Sequence, residues 1–169
     1  MEHVTIDEVD NRIQPAAVMR RLSDALETDD IAINYYELEP GDSFAYAYHR
    51  HEYQEEVFYI QSGTATFETE AGPVEIDAGE VIRFAPGEYQ RGWNRGTERV
   101  VALALGAPMR YGDGERLRDC PTCGEQTHNE LDLIDDDSTS GGKAVVATCH
   151  RCGSETGRWF EGSMEGEVP

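Results

Sequence analysis

Residues 41–63, GDSFAYAYHRHEYQEEVFYIQSG, form the stretch that decides the interpretation of the whole chain. His49 and His51 are separated by one residue, so both imidazoles leave the same face of an extended strand. Glu56 follows five residues after His51, an odd separation that would place it on the opposite face of one unbroken strand. A turn or bulge in residues 52–55 must therefore intervene, and a second strand then brings Glu56 to the imidazoles. Two neutral imidazoles and a carboxylate at one point suit a divalent transition metal.

The composition indicates a folded and very acidic protein. Its 169 residues suffice for one good core and a small appendage, but not for two full-size domains. The net charge is −20, with 34 acidic residues against 14 basic ones, of which Lys143 is the only lysine. Such a balance is typical of the cytoplasm of salt-accumulating halophiles, where salt screens the self-repulsion. Strand-like alternation of apolar residues argues against a disordered acidic chain, and the charge argues against nucleic-acid binding.

The compartment predicted from the sequence is the cytoplasm. The first ten residues, MEHVTIDEVD, have neither the basic region nor the apolar core of a signal peptide. No apolar run reaches the roughly 18 residues that span a membrane. In the cytoplasm, four cysteines are expected as thiolates or metal ligands rather than as disulfides.

The hydrophobic pattern predicts an all-β protein with one short helix. Residues 1–30 are interpreted as a polar tail followed by an amphipathic helix over 15–27, which Pro15 opens. From residue 31 onward, short strands are joined by glycine turns, which is typical of a sandwich or small barrel. The predicted strands are 31–38, 43–51, 56–61, 64–70, 74–77, 81–84 and 99–105.

Two cysteine pairs predict a second, smaller module. After a linker at 109–116, residues 117–162 contain two Cys-x-x-Cys-Gly sequences separated by a hairpin-like insert. This pattern resembles a zinc ribbon, in which four thiolates hold a structural zinc ion tetrahedrally. The alternatives are a disulfide pair or an iron site. Residues 163–169 are predicted to form a frayed tail. The four predicted ligands are Cys120, Cys123, Cys149 and Cys152.

The barrel region, residues 31–108, resembles the cupin superfamily. A first motif of that family, with a glycine, a His-x-His pair, a glutamate and a second glycine, matches Gly41, His49, His51, Glu56 and Gly63. A second motif, which normally ends in a histidine and an asparagine, matches Gly79, Pro86, Gly87, Gln90 and Asn94. The resemblance implies a small antiparallel double-stranded β-helix (jelly-roll) barrel with its site inside, and often a homodimer.

The most important departure from the family pattern is Gln90, which stands where the third histidine ligand is usual. Ala85 also stands where proline is usual, and the gap from Gly41 to His49 is two residues longer than the usual pattern. The amide oxygen of Gln90 is a weaker ligand than imidazole. His49, His51 and Glu56 could still hold Fe, Mn, Ni, Co or Zn, with Gln90 as fourth ligand or as a hydrogen-bond donor. Glu55 is an alternative to Glu56. The opposing interpretation is a barrel that has lost its metal and binds only an organic ligand.

The function predicted from these motifs is a small-molecule-binding cupin with a metal-assisted site, such as an oxygenase or an isomerase, and a structural zinc in the ribbon. The alternative is a non-catalytic module that senses a metabolite or contacts another protein through the ribbon. The motifs leave open whether the protein is an enzyme. They identify no catalytic residue and no substrate.

Overall fold

The computed structural model describes residues 1–139 and 141–160, and its regular structure is almost entirely antiparallel β. One 3₁₀ turn, Ile6–Glu8, and one short helix, α1 (Leu22–Leu26), accompany the strands. The strands are β1 (Val18–Arg21), β2 (Ala32–Leu38), β3 (Tyr48–Arg50), β4 (Glu55–Ser62), β5 (Thr64–Thr69), β6 (Gly72–Asp77), β7 (Val81–Phe84), β8 (Gln90–Trp93), β9 (Val100–Ala107), β10 (Glu115–Cys120), β11 (Glu125–Asp135), β12 (Lys143–Cys149) and β13 (Glu155–Trp159).

Two sheets form the molecule. The first has five strands in the order β1-β2-β9-β4-β7, and the second has eight in the order β13-β12-β11-β10-β3-β8-β5-β6. The predicted break between the two metal-binding strands is confirmed, because β3 ends at Arg50 and β4 begins at Glu55. The break also transfers the chain from one sheet to the other, so β3 and β4 contribute to opposite walls of the barrel.

The core between these walls is aromatic. The ring of Phe67 lies 5.6 Å from that of Phe44 and 4.9 Å from that of Phe58, between ring centroids. Phe67 comes from the second sheet and Phe58 from the first, so their contact joins the two walls. Such ring pairs stabilise a core beyond the area they bury. The aromatic cluster therefore fills part of the core between the two sheets.

The helix predicted over residues 15–27 is largely wrong. Residues 18–21 form β1, which pairs with β2 in the register Val18↔Glu37 to Arg21↔Asn34. Only α1 is helical, and Glu27 ends it in the left-handed conformation at φ 53°. The apolar periodicity was real, but an isolated helix of this length is marginal in water. The free edge of β2 offers backbone partners that outweigh helical propensity.

Two strands also differ from the prediction. The strand expected over 43–51 shortens to β3, because residues 44–47 bend while the backbone N–H of Phe44 donates to the carbonyl of Gly92. The strand β8 was missed because its glycine resembles a strand breaker. A Cβ at Gly92 would lie 2.5 Å from the ring of Phe67, so this strand needs a residue without a side chain.

The cysteine-bearing strands continue the barrel sheet. Strand β10 pairs with β3 through Glu115↔Arg50, Arg116↔His49 and Leu117↔Tyr48. The predicted linker, 109–116, therefore already contains the first residues of a strand that belongs to the barrel wall. Residues 161–162 of the predicted ribbon and the predicted frayed tail, 163–169, lie outside the described residues. Within the described ranges, no helix is both long and apolar enough to cross a membrane.

Candidate metal and ligand site

Three strands and one loop bring the predicted barrel ligands together. His49 lies in β3, His51 follows directly after that strand, and Glu56 projects from β4 on the opposite sheet. Gln90 lies in β8, directly opposite His49 in the antiparallel register. One ligand atom from each of His49, His51 and Glu56 lies within 4.8 Å of the others. A single ion between them could contact all three.

Glu56 is at the centre of the cluster. Its Oε2 lies 3.7 Å from Nε2 of His49 and 3.4 Å from Nε2 of His51. The side-chain amide of Gln90 donates a hydrogen bond of 2.8 Å to the same oxygen. Glu55, the alternative ligand, pairs instead with Arg83 at 2.5 Å on the outside of the sheet. The structure therefore places Glu56, and not Glu55, at the site.

The tautomer of His49 is set by the backbone. Its Nδ1 lies 3.0 Å from the carbonyl oxygen of Ala47. A carbonyl oxygen can only accept, so Nδ1 carries the proton and, in the neutral ring, Nε2 presents its lone pair to the site. The amide of Gln90, 3.3 Å from that Nε2, is consistent with this assignment. Backbone orientation of this kind is what metal-binding histidines commonly show.

The surroundings of Glu56 stabilise the ionised form of its carboxyl group. Burial raises the pKa of this carboxyl, but hydrogen bonds and charge interactions with His49 and His51, when these rings are protonated, outweigh burial and hold the pKa well below its ordinary value. Glu56 is therefore ionised at neutral pH and acts only as an acceptor. A carboxylate and two correctly oriented imidazoles fit a divalent transition metal. Gln90 has its Oε1 buried without a partner, so a rotation of its amide would offer an oxygen to the same ion.

The four cysteines form a second cluster. Their sulfur atoms all lie within 4.8 Å of one another, and the sulfurs of Cys120 and Cys152 are 3.5 Å apart. Each pair is shaped by a tight turn, in which the N–H of Gly124 donates to Cys120 and that of Gly153 donates to Cys149, both at 2.8 Å. Both glycines have positive φ, 70° and 75°, which residues with a Cβ rarely adopt. The two turns together present four sulfurs to one point, as a tetrahedral metal requires.

The surroundings of Cys149 and Cys152 favour thiolates, whereas hydrogen bonding with the other cysteines raises the pKa of Cys123. The hydroxyl of Thr127 donates to the sulfur of Cys149 at 3.2 Å and lowers the pKa of that thiol to about 6. Hydrogen bonding from Ser154 lowers the pKa of Cys152 in the same direction. A thiolate is the form that binds a metal. All four cysteines are free of disulfide bonds.

Comparisons with known proteins agree with the fold. Residues 34–106 match the family described as Cupin domain, and this segment contains His49, His51, Glu56 and Gln90. The barrel has the cupin fold. No curated protein matches the sequence significantly.

Several solved structures are similar to this chain over the cupin barrel. One is a protein from Acidithiobacillus ferrooxidans provisionally named a sugar phosphate isomerase, with 26% identity, a TM-score of 0.56, and coverage of 75% of this chain and 85% of that one. Another is a sugar phosphate isomerase of the cupin superfamily from Silicibacter pomeroyi, with 17% identity, a TM-score of 0.58, and coverage of 88% and 87%. A third is a predicted oxalate decarboxylase from Thermotoga maritima, with 24% identity, a TM-score of 0.55, and coverage of 63% and 99%.

A cavity of about 330 Å³ opens beside the metal-site residues of the cupin barrel. Several of its lining residues were missed by sequence reasoning, because they lie far along the chain from the two motifs. Gln14 belongs to the predicted tail, Asn34 to β2, Arg116 to the predicted linker and Leu131 to β11. The alternation Arg116-Leu117-Arg118 is a strand signal, but only the pairing of β10 with β3 turns it toward the barrel.

Proposed function

We propose that this protein binds a small polar molecule in the cupin barrel beside a divalent transition metal held by His49, His51 and Glu56. The observation that carries the proposal is the convergence of these ligand atoms, within 4.8 Å of one another, at the wall of a 330 Å³ cavity. When bound, such an ion supplies Lewis-acid chemistry that polarises a carbonyl or hydroxyl group. The surrounding side chains bind and orient the small molecule and exclude water.

The reaction that we propose to test first is the isomerisation of a phosphorylated sugar. The support is the Acidithiobacillus structure, provisionally named a sugar phosphate isomerase, with which this chain shares 26% identity. Burial raises the pKa of Tyr36, which lines the cavity, so its hydroxyl stays protonated and can donate to a substrate oxygen. Dioxygen chemistry at the same metal is the second reaction class to assay.

The second candidate function is a binding module without catalysis. Two observations favour it. Gln90 donates to Glu56 at 2.8 Å and so satisfies the carboxylate without an ion. Among the described residues that line the cavity, Glu56 is the only carboxylate, so no second carboxylate is available as a general base when a metal occupies it.

Elemental analysis separates these functions. We expect two metal ions per chain in the purified protein, and we expect the double variant His49→Ala/His51→Ala to lose one of them. His128→Ala is the matched control, because His128 belongs to neither ligand cluster. One metal per chain, unchanged in the double variant, would contradict the metal-dependent function and leave the binding module.

For the second cluster we propose a structural zinc ion held by Cys120, Cys123, Cys149 and Cys152. The support is their closed set of four sulfurs, which leaves no position for a substrate. We expect the retained metal of the double variant described above to be zinc. A cysteine site that stays empty in the purified protein, or that carries iron, would contradict this assignment.

We also propose a salt-rich cytoplasm as the working environment and a homodimer as the assembly. The net charge of −20 supports the first proposal, because molar salt screens the repulsion among carboxylates. The free energy of unfolding is then expected to rise between low and molar KCl, and a fall would contradict it. Light scattering in molar KCl tests the dimer, which a monomeric mass would exclude.

A further inference from the structure

Arg116 lies in a row with two residues of the metal site. In the antiparallel register it stands directly opposite His49, and His49 stands directly opposite Gln90. Side chains of directly opposed residues leave the same face of a sheet, with Cβ atoms about 5 Å apart. Three adjacent strands therefore present Arg116, His49 and Gln90 side by side, and all three line the cavity.

Arg116 is also exceptional among the arginines of this chain. The other arginine side chains in residues 1–139 and 141–160 each have a hydrogen bond, an ion pair or an aromatic ring as a partner. Within the same ranges, the side chain of Arg116 has none of these. An unpaired guanidinium stands out in a chain with 34 acidic residues, where a carboxylate partner is easily supplied. Arg116 lines the cavity instead, and its guanidinium carries five N–H donors.

Among the described residues, no other charged group that lines the cavity forms an ion pair with Arg116. Arg21 also lines the cavity, but its guanidinium pairs with Asp24 at 3.4 Å. The carboxylate of Glu56 accepts a hydrogen bond from Gln90 and lies beside the two histidines. Of the two guanidinium groups that line the cavity in the described ranges, that of Arg116 is therefore the one without a protein partner.

We infer that Arg116 binds the anionic group, a carboxylate or a phosphate, of the small molecule that enters the cavity. The planar guanidinium matches both oxyanions with two parallel hydrogen bonds, and it stays charged at every relevant pH. The inference rests on the proposed small-molecule role of the cavity, but it needs no metal there.

Two further unpaired groups of the cavity indicate which other functional groups the ligand carries. Oε1 of Gln14 and Oδ1 of Asn34 are buried without a hydrogen-bond partner, and both residues line the same cavity. Buried acceptors without a donor are rare in proteins because they cost stability. Hydroxyl groups on the ligand would supply the missing donors. The ligand class is therefore a hydroxylated organic oxyanion.

Ligand recognition consequently depends on the cysteine module. Strand β10, which carries Arg116, ends at Cys120, and β11 adds Leu131 to the cavity wall. The module thus acts as a positioning element for the anion site. This role differs from that of a separate tail that only contacts another protein.

Isothermal titration at constant ionic strength tests the inference, with inorganic phosphate and malonate as probes of the two oxyanions. We expect at least one of them to bind the wild type, and Arg116→Gln to weaken that binding about tenfold or more. Arg116→Lys keeps the charge and should retain part of the affinity. Arg83→Gln is the matched control, because Arg83 pairs with Glu55 on the outer surface.

Titrations of a variant without the two histidines separate the anion site from the metal site. The titrations are repeated in the His49→Ala/His51→Ala variant, in which phosphate cannot be held by a barrel metal. Binding that still depends on Arg116 in this background supports the inference even if metal analysis rejects the metal-dependent function. Binding that ignores Arg116, or no binding of either anion to the wild type, would overturn it.

A comparison of two phosphate ligands tests the proposed hydroxyl contacts. We expect glycerol 3-phosphate to bind the wild type more tightly than inorganic phosphate, because its hydroxyls reach Gln14 and Asn34. Equal or weaker binding would remove the hydroxylated part of the ligand class.

Discussion

At the scale of single residues, Gln90 is the side chain that links two of the candidate metal ligands by hydrogen bonds. It is 2% exposed and lies between the lone pair of His49 and the carboxylate of Glu56. Its amide satisfies both groups in the absence of an ion. A metal must therefore displace or rotate this amide, and part of the binding energy is used for that change.

Replacing Gln90 with histidine should strengthen the metal site. A neutral imidazole is a better ligand for transition metals than an amide oxygen. We expect Gln90→His to lower the metal dissociation constant about tenfold or more in a chelator competition titration. Gln90→Ala, which removes the amide without adding a ligand, is the control. Equal affinities of Gln90→His and wild type would show that this position is not part of the metal site.

At the scale of elements, the N-terminal segment becomes a wall of the cavity because several contacts hold it against the barrel. One carboxylate oxygen of Asp42 accepts from the backbone N–H of Ala17 at 2.8 Å and from that of Glu39 at 2.9 Å. The hydroxyl of Tyr46 donates to the carbonyl of Ile13. These contacts lie on either side of Gln14 in the sequence and fix its place at the cavity.

Asp42 should also make stability depend on pH. Burial raises the pKa of this carboxyl above its ordinary value, although the two backbone hydrogen bonds act in the opposite direction. A raised pKa in the folded state means that the contribution of Asp42 is full below the unfolded pKa and is lost as the pH rises through the folded pKa. The unfolding free energy of wild type relative to Asp42→Asn should therefore increase between pH 7 and pH 4.

Denaturant unfolding of both proteins across this pH range measures the difference. The Asp42→Asn variant keeps an oxygen acceptor in its side chain, so the comparison isolates the charge. Asp42→Ala removes the acceptor and should cost about 1–3 kcal/mol at every pH. A difference between wild type and Asp42→Asn that is constant, or that falls on acidification, would contradict the assignment.

Local sequence pattern was sufficient for the elements whose alternation or apolar run is itself typical of a strand. The alternation in β5 and the apolar run in β9 were confirmed, and the parity of His51 and Glu56 correctly required a break between them. Local sequence pattern failed where the pairing partner, and not the pattern, decides the structure. Residues 18–21 are a strand because β2 has a free edge, and Arg116 faces the cavity because β10 pairs with β3 across more than 60 positions of sequence.

At the scale of the whole molecule, the barrel and the cysteine module share one sheet and one packed interface. The ring of Trp159 is fully buried and lies 4.8 Å from that of Tyr46, between centroids. The guanidinium of Arg118 stacks on Trp159 and donates to the carbonyl of Tyr46. The predicted division into a barrel and a separate ribbon stays a prediction, but these contacts couple the two parts.

This coupling predicts that loss of the cysteine-bound metal weakens anion binding in the barrel. We expect Cys152→Ser to lose zinc and to bind phosphate several-fold more weakly, because β10 is no longer held at Cys120. His150→Ala is the matched control, since His150 lies between the paired cysteines and its side chain is 68% exposed. Zinc content and phosphate affinity of each variant are measured on the same preparation.

The opposite result would be informative about the module. If Cys152→Ser lost zinc and kept full phosphate affinity, the pairing of β10 with β3 would hold Arg116 without help from the metal. The cysteine cluster would then stabilise only the outer strands of the sheet.

The pairing of β10 with β3 also makes the cavity sensitive to changes in chain length that touch none of its residues. Arg116 points inward only because it stands opposite His49, while its neighbours Glu115 and Leu117 stand opposite Arg50 and Tyr48. Insertion or deletion of one residue in 109–114 that shifted this alignment by one position would bring Leu117 inward and turn Arg116 to solvent. Homologues that differ in the length of this connection would therefore be expected to differ in which ligands they accept, even where every lining residue is the same.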